Sequence, residues 1–416
     1  MTQGIVVVGG GFAGLWGAAA AARARDELGL ADAIAITLVA PGPFHVVRVR
    51  CYEADLAPLR VPLDDVLAPI GVRRVDGWVE AIDAAERRLA VQPAQRSDPP
   101  VTLPYDRLIL AAGSALRRPE VPGADAAFDV DTIEGAQGLA QHLDALAAGA
   151  IGRGQAGRWT AVVVGAGLVG IELACELPVR LAAARDRAGD AGPVETILID
   201  RGPEVGATMG GAAMPAVREA LAAAGVVGIA GAGVNLIDSA GVTLEDGTRI
   251  PALTVVCATG MRASPLAGQL GVPCDALGRV LVDAHLRVVG RAEVFAAGDV
   301  AAATADAAGH RTVMSCQHAR PMGRFAGHNA VCDLAGRPDR LLDFSVPDYV
   351  TVLDLGAWGA VYTAGWDRGR LVAAGAEAKA TKRTINGARI YPPLTRDRAA
   401  ILAAAAPVIQ ARPGGG

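Results

Sequence analysis

The chain opens on Ile5-Val6-Val7-Val8, an unbroken apolar run too short for a helix, and passes directly into Gly9-Gly10-Gly11-Phe12-Ala13-Gly14. Helix-forming residues 18–24 follow, so the order predicts a buried strand, a glycine turn and a helix. The same order returns at Ala161-Val162-Val163-Val164, Gly165-Ala166-Gly167-Leu168-Val169-Gly170 and a helix running through Cys175 towards Leu181. Further apolar runs predict strands over residues 35–39, 105–110, 195–199, 253–257 and 294–297. Residues 61–79 predict a helix and a strand, and residues 80–101, broken at Pro99-Pro100, a small antiparallel excursion. A linker is expected over 118–123, a polar loop over 184–193, a helix over 212–224 and a hairpin over 241–250 around Asp246-Gly247. Residues 342–394 alternate as strands around residues 355–362, before Glu377-Ala378-Lys379-Ala380-Thr381-Lys382-Arg383.

A strand, a glycine-spaced turn and a helix suit the pyrophosphate of a dinucleotide. Gly9 permits the tight turn, Gly11 lets the backbone approach the phosphates, and Gly14 lets the helix pack closely. The helix N-terminus adds unpaired N–H groups and its positive dipole end. Gly165, Gly167 and Gly170 repeat the arrangement, which predicts two dinucleotide folds in one chain. An acid at the end of the second strand of such a fold binds the adenosine ribose hydroxyls. The first fold has Ala40 there; the second has Asp200, which favours NAD(H) over NADP(H). Arg201 beside it either softens that preference, admitting NADPH, or lies on a solvated turn. Small residues at strand exits, Ala111-Ala112-Gly113 and Ala258-Thr259-Gly260, let the chain pass close to a cofactor. Gly298-Asp299 puts a carboxylate just past a strand, where it can accept hydrogen bonds from a ribityl chain or simply hold a turn.

With 416 residues, two or three domains are expected. A net charge of −4 with no basic stripe argues against a nucleic-acid surface. Six cysteines, at 51, 175, 257, 274, 316 and 332, include no C-x-x-C pair, so neither a disulfide framework nor a zinc site is expected. No segment has the length of apolar sequence needed to cross a membrane, and nothing at the start reads as a signal peptide, so a cytoplasmic protein is expected, with a homodimer compatible.

Over about residues 4–336 these motifs, in this order, resemble the two-dinucleotide-binding-domain flavoproteins. The resemblance implies an α/β fold class of two Rossmann-like domains in the glutathione-reductase-like FAD/NAD(P) arrangement, with a small C-terminal α+β region. Residues 1–118 and 262–341 would form a discontinuous FAD-binding domain, 119–261 an NAD(H)-binding domain and 342–416 the C-terminal region. FAD would meet Gly9, Gly11, Phe12, Ala13, Gly14, Arg48, Ala111, Ala112, Gly113, Gly298, Asp299 and Gln317. The nicotinamide cofactor would meet Gly165, Gly167, Leu168, Val169, Gly170, Glu172, Asp200, Arg201, Thr259 and Gly260.

Disulfide reductases of that superfamily carry a C-x-x-C or C-x-x-x-x-C pair in the first domain, and residues 1–118 of this chain hold Cys51 alone. The closer match is to type II NADH dehydrogenases (NADH:quinone oxidoreductases). Residues 44–54 look like their aromatic-His loop, and Ser315-Cys316-Gln317-His318-Ala319-Arg320-Pro321 is similar to their Ala-Gln-x-Ala-x-Gln quinone motif. Gln317 and Ala319 match, while Cys316 and Pro321 depart from it. Tail residues 398–416 lack a cationic-aromatic face, which predicts a soluble relative and leaves its acceptor open.

The resemblance implies hydride transfer from NADH to FAD, then electron transfer to a quinone or other small acceptor. A reductase of a protein electron carrier, an NADH-responsive flavoprotein like the apoptosis-inducing factors and, more distantly, a sulfide oxidase using Cys51 and Cys316 are the alternatives. Glu172 would gate the nicotinamide or be a surface charge. Gln317 and His318 would face the acceptor, His318 as a proton donor or as a structural ring. Cys316 would be reactive or merely small and buried. Lys379 or Lys382 would reach the flavin, or both would be solvated. Arg48 and Arg50 would stabilise an anionic flavin or acceptor, or pair with Glu53 and Asp55.

Overall fold

Ile5–Val8 carries no polar side chain, so it is stable only inside a sheet, and in the computed structural model, which describes residues 2–95 and 97–413, it lies at the heart of one. The closing Gly414-Gly415-Gly416 lies outside the described residues. Gln3–Val8 pairs in parallel with Ile34–Ala40 on one side and Arg107–Leu110 on the other, Val8 facing Val39 and Leu110. Val294–Ala296 extends the sheet beyond Arg107–Leu110, and Arg73–Asp83 extends it beyond Ile34–Ala40. Arg73–Asp83 then turns antiparallel with Arg88–Pro93, which pairs with Val101–Pro104, giving the expected antiparallel excursion.

The second glycine turn heads its own sheet. Thr160–Val164 pairs in parallel with Glu195–Ile199 and Thr254–Cys257, and Val226–Ile229 adds an edge. Gly241–Leu244 and Arg249–Pro251 form the expected hairpin, joined by Val234–Asp238. Ser114–Leu116 and Met261–Ala263 are antiparallel neighbours, so the chain enters and leaves this second unit along one two-stranded ribbon. Beyond residue 341, Val350–Asp354, Ala360–Ala364 and Arg370–Ala374 make a third, antiparallel sheet that leads into the helix Gly375–Thr384.

The alanine and glycine richness has a structural use. Helices Phe12–Glu27 and Cys316–Leu334 touch backbone to backbone: a Cβ on Gly323 would lie 2.3 Å from the Ala13 carbonyl oxygen, and one on Gly327 2.1 Å from that of Gly17. Only glycine fits at such an approach.

One local expectation is corrected. The polar stretch after Leu181 remains helical to Arg187, because Ala184 is buried and Arg185 reaches across to the Gly192 carbonyl oxygen at 3.2 Å. The expected linker over 118–123 holds neither helix nor strand, and its first residue is anchored: Arg118 donates to the Ala124 and Ala127 carbonyl oxygens and pairs with Asp129 at 2.7 Å. Among the described residues no helix is long and apolar enough to cross a membrane.

Candidate cofactor and active site

The glycines of each turn divide by function. Gly9 has φ +115°, and a Cβ there would stand 2.2 Å from the Ala111 carbonyl oxygen; one on Gly14 would stand 1.8 Å from that of Gly9. Packing therefore requires both. A Cβ on Gly11 would meet nothing within 4 Å. Gly11 is also the N-cap of the helix and offers no capping side chain, which leaves the first N–H groups of that helix facing open space. The second turn repeats this. Gly165 would clash with Ala258 and Gly170 with Gly165, whereas Gly167, again an uncapped N-cap, is open. Phe12 and Ala13 are buried behind the first cradle; Leu168 is half-buried and Val169 exposed at the second. Ala111-Ala112-Gly113 passes under the first turn and Thr259-Gly260 leaves beside the second, where added Cβ atoms on Gly113 and Gly260 would also meet nothing.

Beside the second cradle the Asp200 carboxylate is locked by two backbone N–H donors, Ala166 and Gly202, each at 2.6 Å. Arg201 points away, exposed, and pairs with Glu245 at 3.4 Å. The first cradle differs. Ala40 packs directly on Gly10, and His45 fills the other side with its Nδ1 2.9 Å from the Gly10 carbonyl oxygen and its ring edge-on to Phe12. Complete burial lowers the His45 pKa to about 4, so the ring is neutral.

Gly298 has φ +76°, and a Cβ there would come 2.8 Å from that of Ala13, so this glycine brings Asp299 against the first turn. Ser114 Oγ donates to Asp299 at 2.6 Å, and Arg48 stands 3.9 Å away; burial raises the Asp299 pKa. Arg48 pairs with Asp131 and donates to the Ser114 carbonyl oxygen at 3.1 Å, so the expected alternative pairing with Glu53 and Asp55 is corrected for this arginine. Arg50 does pair with Glu53, at 2.6 Å.

Cys316, Gln317 and His318 open the helix Cys316–Leu334. Gln317 donates to the Asp348 carbonyl oxygen at 3.1 Å. His318 accepts the Val313 N–H at 3.1 Å and stacks on Tyr349 and Trp366, and its burial lowers its pKa to about 4. The wedged ring, neutral at neutral pH, favours the structural reading over that of an imidazolium proton donor. Burial also raises the Cys316 thiol, which keeps it from ionising.

Glu172 is 4 % exposed, hence no surface charge. Its Oε1 accepts Lys382 Nζ at 2.7 Å and the Asp354 N–H at 3.0 Å. Lys379 Nζ lies 2.5 Å from Asp354 Oδ1 and 3.1 Å from the Gly356 carbonyl oxygen. Two carboxylates and two ammonium groups thus join the second glycine helix to the C-terminal sheet and helix, and neither lysine is a solvated charge. Burial acts to lower the Lys382 pKa, but Glu172 and Asp354 raise it overall; burial raises that of Glu172 against the pull of Lys382. Asp354, far from any glycine motif, carried no signal in the sequence.

The chain from residue 3 to residue 323 matches the pyridine nucleotide-disulphide oxidoreductases. It belongs to that family. An NADH dehydrogenase-like protein of Mycobacterium tuberculosis (strain H37Rv) is 52% identical over 411 residues, covering 98% of this chain and 99% of its own. A type II NADH:quinone oxidoreductase of the same strain is 32% identical over 315 residues, 71% of this chain and 66% of its own. The solved NDH2 of Plasmodium falciparum, in complex with NADH, superposes with a TM-score of 0.78 at 11% identity, covering 97% of each chain, which shows a shared fold.

This pyridine nucleotide-disulphide oxidoreductase is therefore an FAD- and NAD(P)H-dependent oxidoreductase with two dinucleotide-binding folds. Its two open glycine cradles fit two pyrophosphates. It departs from the disulphide chemistry in the family's name: all six cysteines are free. Among the described residues no cluster of His, Cys, Asp and Glu could hold a metal ion.

Proposed function

We propose that the chain oxidises NADH through FAD and delivers the electrons to a quinone-like small acceptor. The observation that carries this reading is the pair of uncapped glycine cradles, of which the second alone has a locked acid, Asp200, beside it. FAD, when bound, supplies the group that accepts hydride from the nicotinamide. The rest falls to side chains of this chain. Gly11, Phe12 and Ala13 hold the flavin pyrophosphate, and Asp299, with Ser114 and Arg48, orients the ribityl hydroxyls. Gly167, Leu168 and Val169 hold the pyrophosphate of NADH. Asp200 accepts its adenosine ribose hydroxyls and repels a 2′-phosphate.

Glu172 and Lys382 form a buried pair near the nicotinamide end, and Lys382 stays protonated with Glu172 as its partner. Gln317, at the start of its helix, positions the acceptor. The names of the quinone-reducing relatives support the quinone-like class, and the free, protonated cysteines support direct electron exit without a dithiol relay. On this reading residues 1–118 and 262–341 hold FAD and residues 119–261 hold NADH.

An anaerobic stopped-flow trace of flavin absorbance tests it. Rapid bleaching by NADH, faster than by NADPH, and rapid recovery on adding a menaquinone analogue are expected. Absence of bleaching overturns the hydride step; bleaching without recovery overturns the quinone.

A further inference from the structure

Two buried arginines stand apart from both cradles. Arg320 and Arg324, one helical turn apart on Cys316–Leu334, face Trp16 on the neighbouring helix, and the three residues are 7%, 2% and 2% exposed. Their guanidinium carbons lie 5.5 and 4.2 Å from the centre of the indole. All three line a cleft of about 440 Å³, walled by alanine, proline and valine from residues 388–393 and 403–410, with Arg389 and Tyr391. No glycine-turn residue lines it, nor does Cys316 or Gln317.

The charges do not balance. Arg320 donates to Gln410 Oε1 at 3.2 Å and Arg389 to the Ala411 carbonyl oxygen at 2.5 Å. Nε of Arg320, Nε of Arg324 and Nε1 of Trp16 have no acceptor among the described residues. The titratable groups that act on the two buried guanidinium groups are each other, Arg389 and the Cys316 thiol, which burial holds protonated; Arg320 also acts on the neutral His45 ring, and neither arginine forms an ion pair with a described carboxylate. Burial pulls both pKa values down to about 10, which still leaves two cations at neutral pH.

A buried cation without a counter-charge is unfavourable, and every orphaned atom here is a donor. The missing partner is therefore an acceptor with negative charge, and the planar fork of arginine matches a carboxylate or phosphate with two parallel hydrogen bonds. Contact with the Trp16 ring holds both guanidinium groups in place beforehand. The apolar walls suit a hydrocarbon body behind the charged head.

We propose that this cleft binds the oxyanion head, carboxylate or phosphate, of a small molecule with an apolar body, at a site separate from both dinucleotide cradles. Such a head group can come from a free metabolite or from a lipid.

The test uses the FAD-loaded full chain. Thermal midpoints are recorded with octyl phosphate, 2-naphthoate and inorganic phosphate, against sodium chloride of equal ionic strength, and sedimentation is measured with phosphatidylglycerol and phosphatidylcholine vesicles. A saturable rise with octyl phosphate or 2-naphthoate supports the site with a free anion. Binding confined to phosphatidylglycerol vesicles supports it with a lipid head group. Arg389→Gln, at the cleft mouth, should weaken whichever binding is seen by about tenfold or more, and the Arg320→Gln/Arg324→Gln double variant should abolish it. NADH-driven bleaching of the flavin should be unchanged in Arg389→Gln, which separates this site from the redox reading. No midpoint shift together with no vesicle binding, or equal binding by wild type and both variants, overturns the proposal.

Discussion

Lys382 Nζ lies 2.7 Å from Glu172 Oε1, and the Asp354 N–H reaches the same oxygen at 3.0 Å. Helix, strand and helix from three parts of the sequence therefore meet at one carboxylate. Breaking a buried pair leaves an uncompensated charge, which costs about 3–5 kcal/mol. Lys382→Met and Glu172→Gln should each lose stability in urea unfolding at pH 7. The double variant should lose less than the sum of the two, and strict additivity would mean that the pair is not coupled.

Acid should weaken the fold through His318. Its pKa is about 4 in the folded chain against an ordinary 6.5, so between these values the unfolded chain binds a proton that the folded one refuses. Stability from this ring is complete above pH 6.5 and is lost as the pH falls towards 4. The loss between pH 7 and pH 5 comes to about 2 kcal/mol. His318→Phe, which keeps the stack on Tyr349 and Trp366, should remove that share of the acid loss in denaturant titrations and leave the similar share of His45, whose pKa is also about 4.

Gly14 and Gly11 should fail in opposite ways. Gly14→Ala drives a Cβ to 1.8 Å from the Gly9 carbonyl oxygen and should destabilise the chain by about 3 kcal/mol or more. Gly11→Ala meets open space at an ordinary backbone angle, so the fold should survive within about 1 kcal/mol. The purified Gly11→Ala protein should nonetheless have a low flavin-to-protein absorbance ratio, because its methyl group occupies the approach of the phosphates.

Much of this was legible because packing and chemistry impose the same local rule. A strand, three spaced glycines and a helix describe a turn that nothing else satisfies, and both copies appear where they were expected. The partners of those turns were not legible. Asp354 sits on an unremarkable strand, and Lys379 and Lys382 are three apart on a helix whose burial depends on a surface some two hundred residues away. Nothing in the sequence marked Arg324, and Arg320 entered only as a position of the quinone-like stretch; the packing of Trp16 against them reveals two cations without an acid.

Asp200 should set the choice of dinucleotide. Asp200→Ala removes the acceptor of the ribose hydroxyls and the repulsion of a 2′-phosphate, so kcat/KM with NADH should fall by about tenfold or more while that with NADPH holds or rises. Stopped-flow bleaching with each donor reads both numbers, and an unchanged ratio would exclude the role given to this carboxylate.

The cysteines should be dispensable to turnover. Brief iodoacetamide treatment of the native protein should label Cys274, the one exposed thiol among the described residues, and leave Cys51 and Cys316 unlabelled by mass spectrometry. Cys51→Ala/Cys316→Ala, once bleached by NADH, should be reoxidised by a menaquinone analogue within about threefold of the wild-type rate. A large loss would restore a thiol relay.

The ribbon of Ser114–Leu116 and Met261–Ala263 has a genetic consequence. Every strand of the seven-stranded sheet comes from before residue 111 or after residue 293, and Arg117 N–H meets the Gly260 carbonyl oxygen at 2.9 Å. The stretch between those two residues begins and ends at a single point in space. It could be spliced in, removed or exchanged as one cassette, and the host sheet would close behind it without a gap.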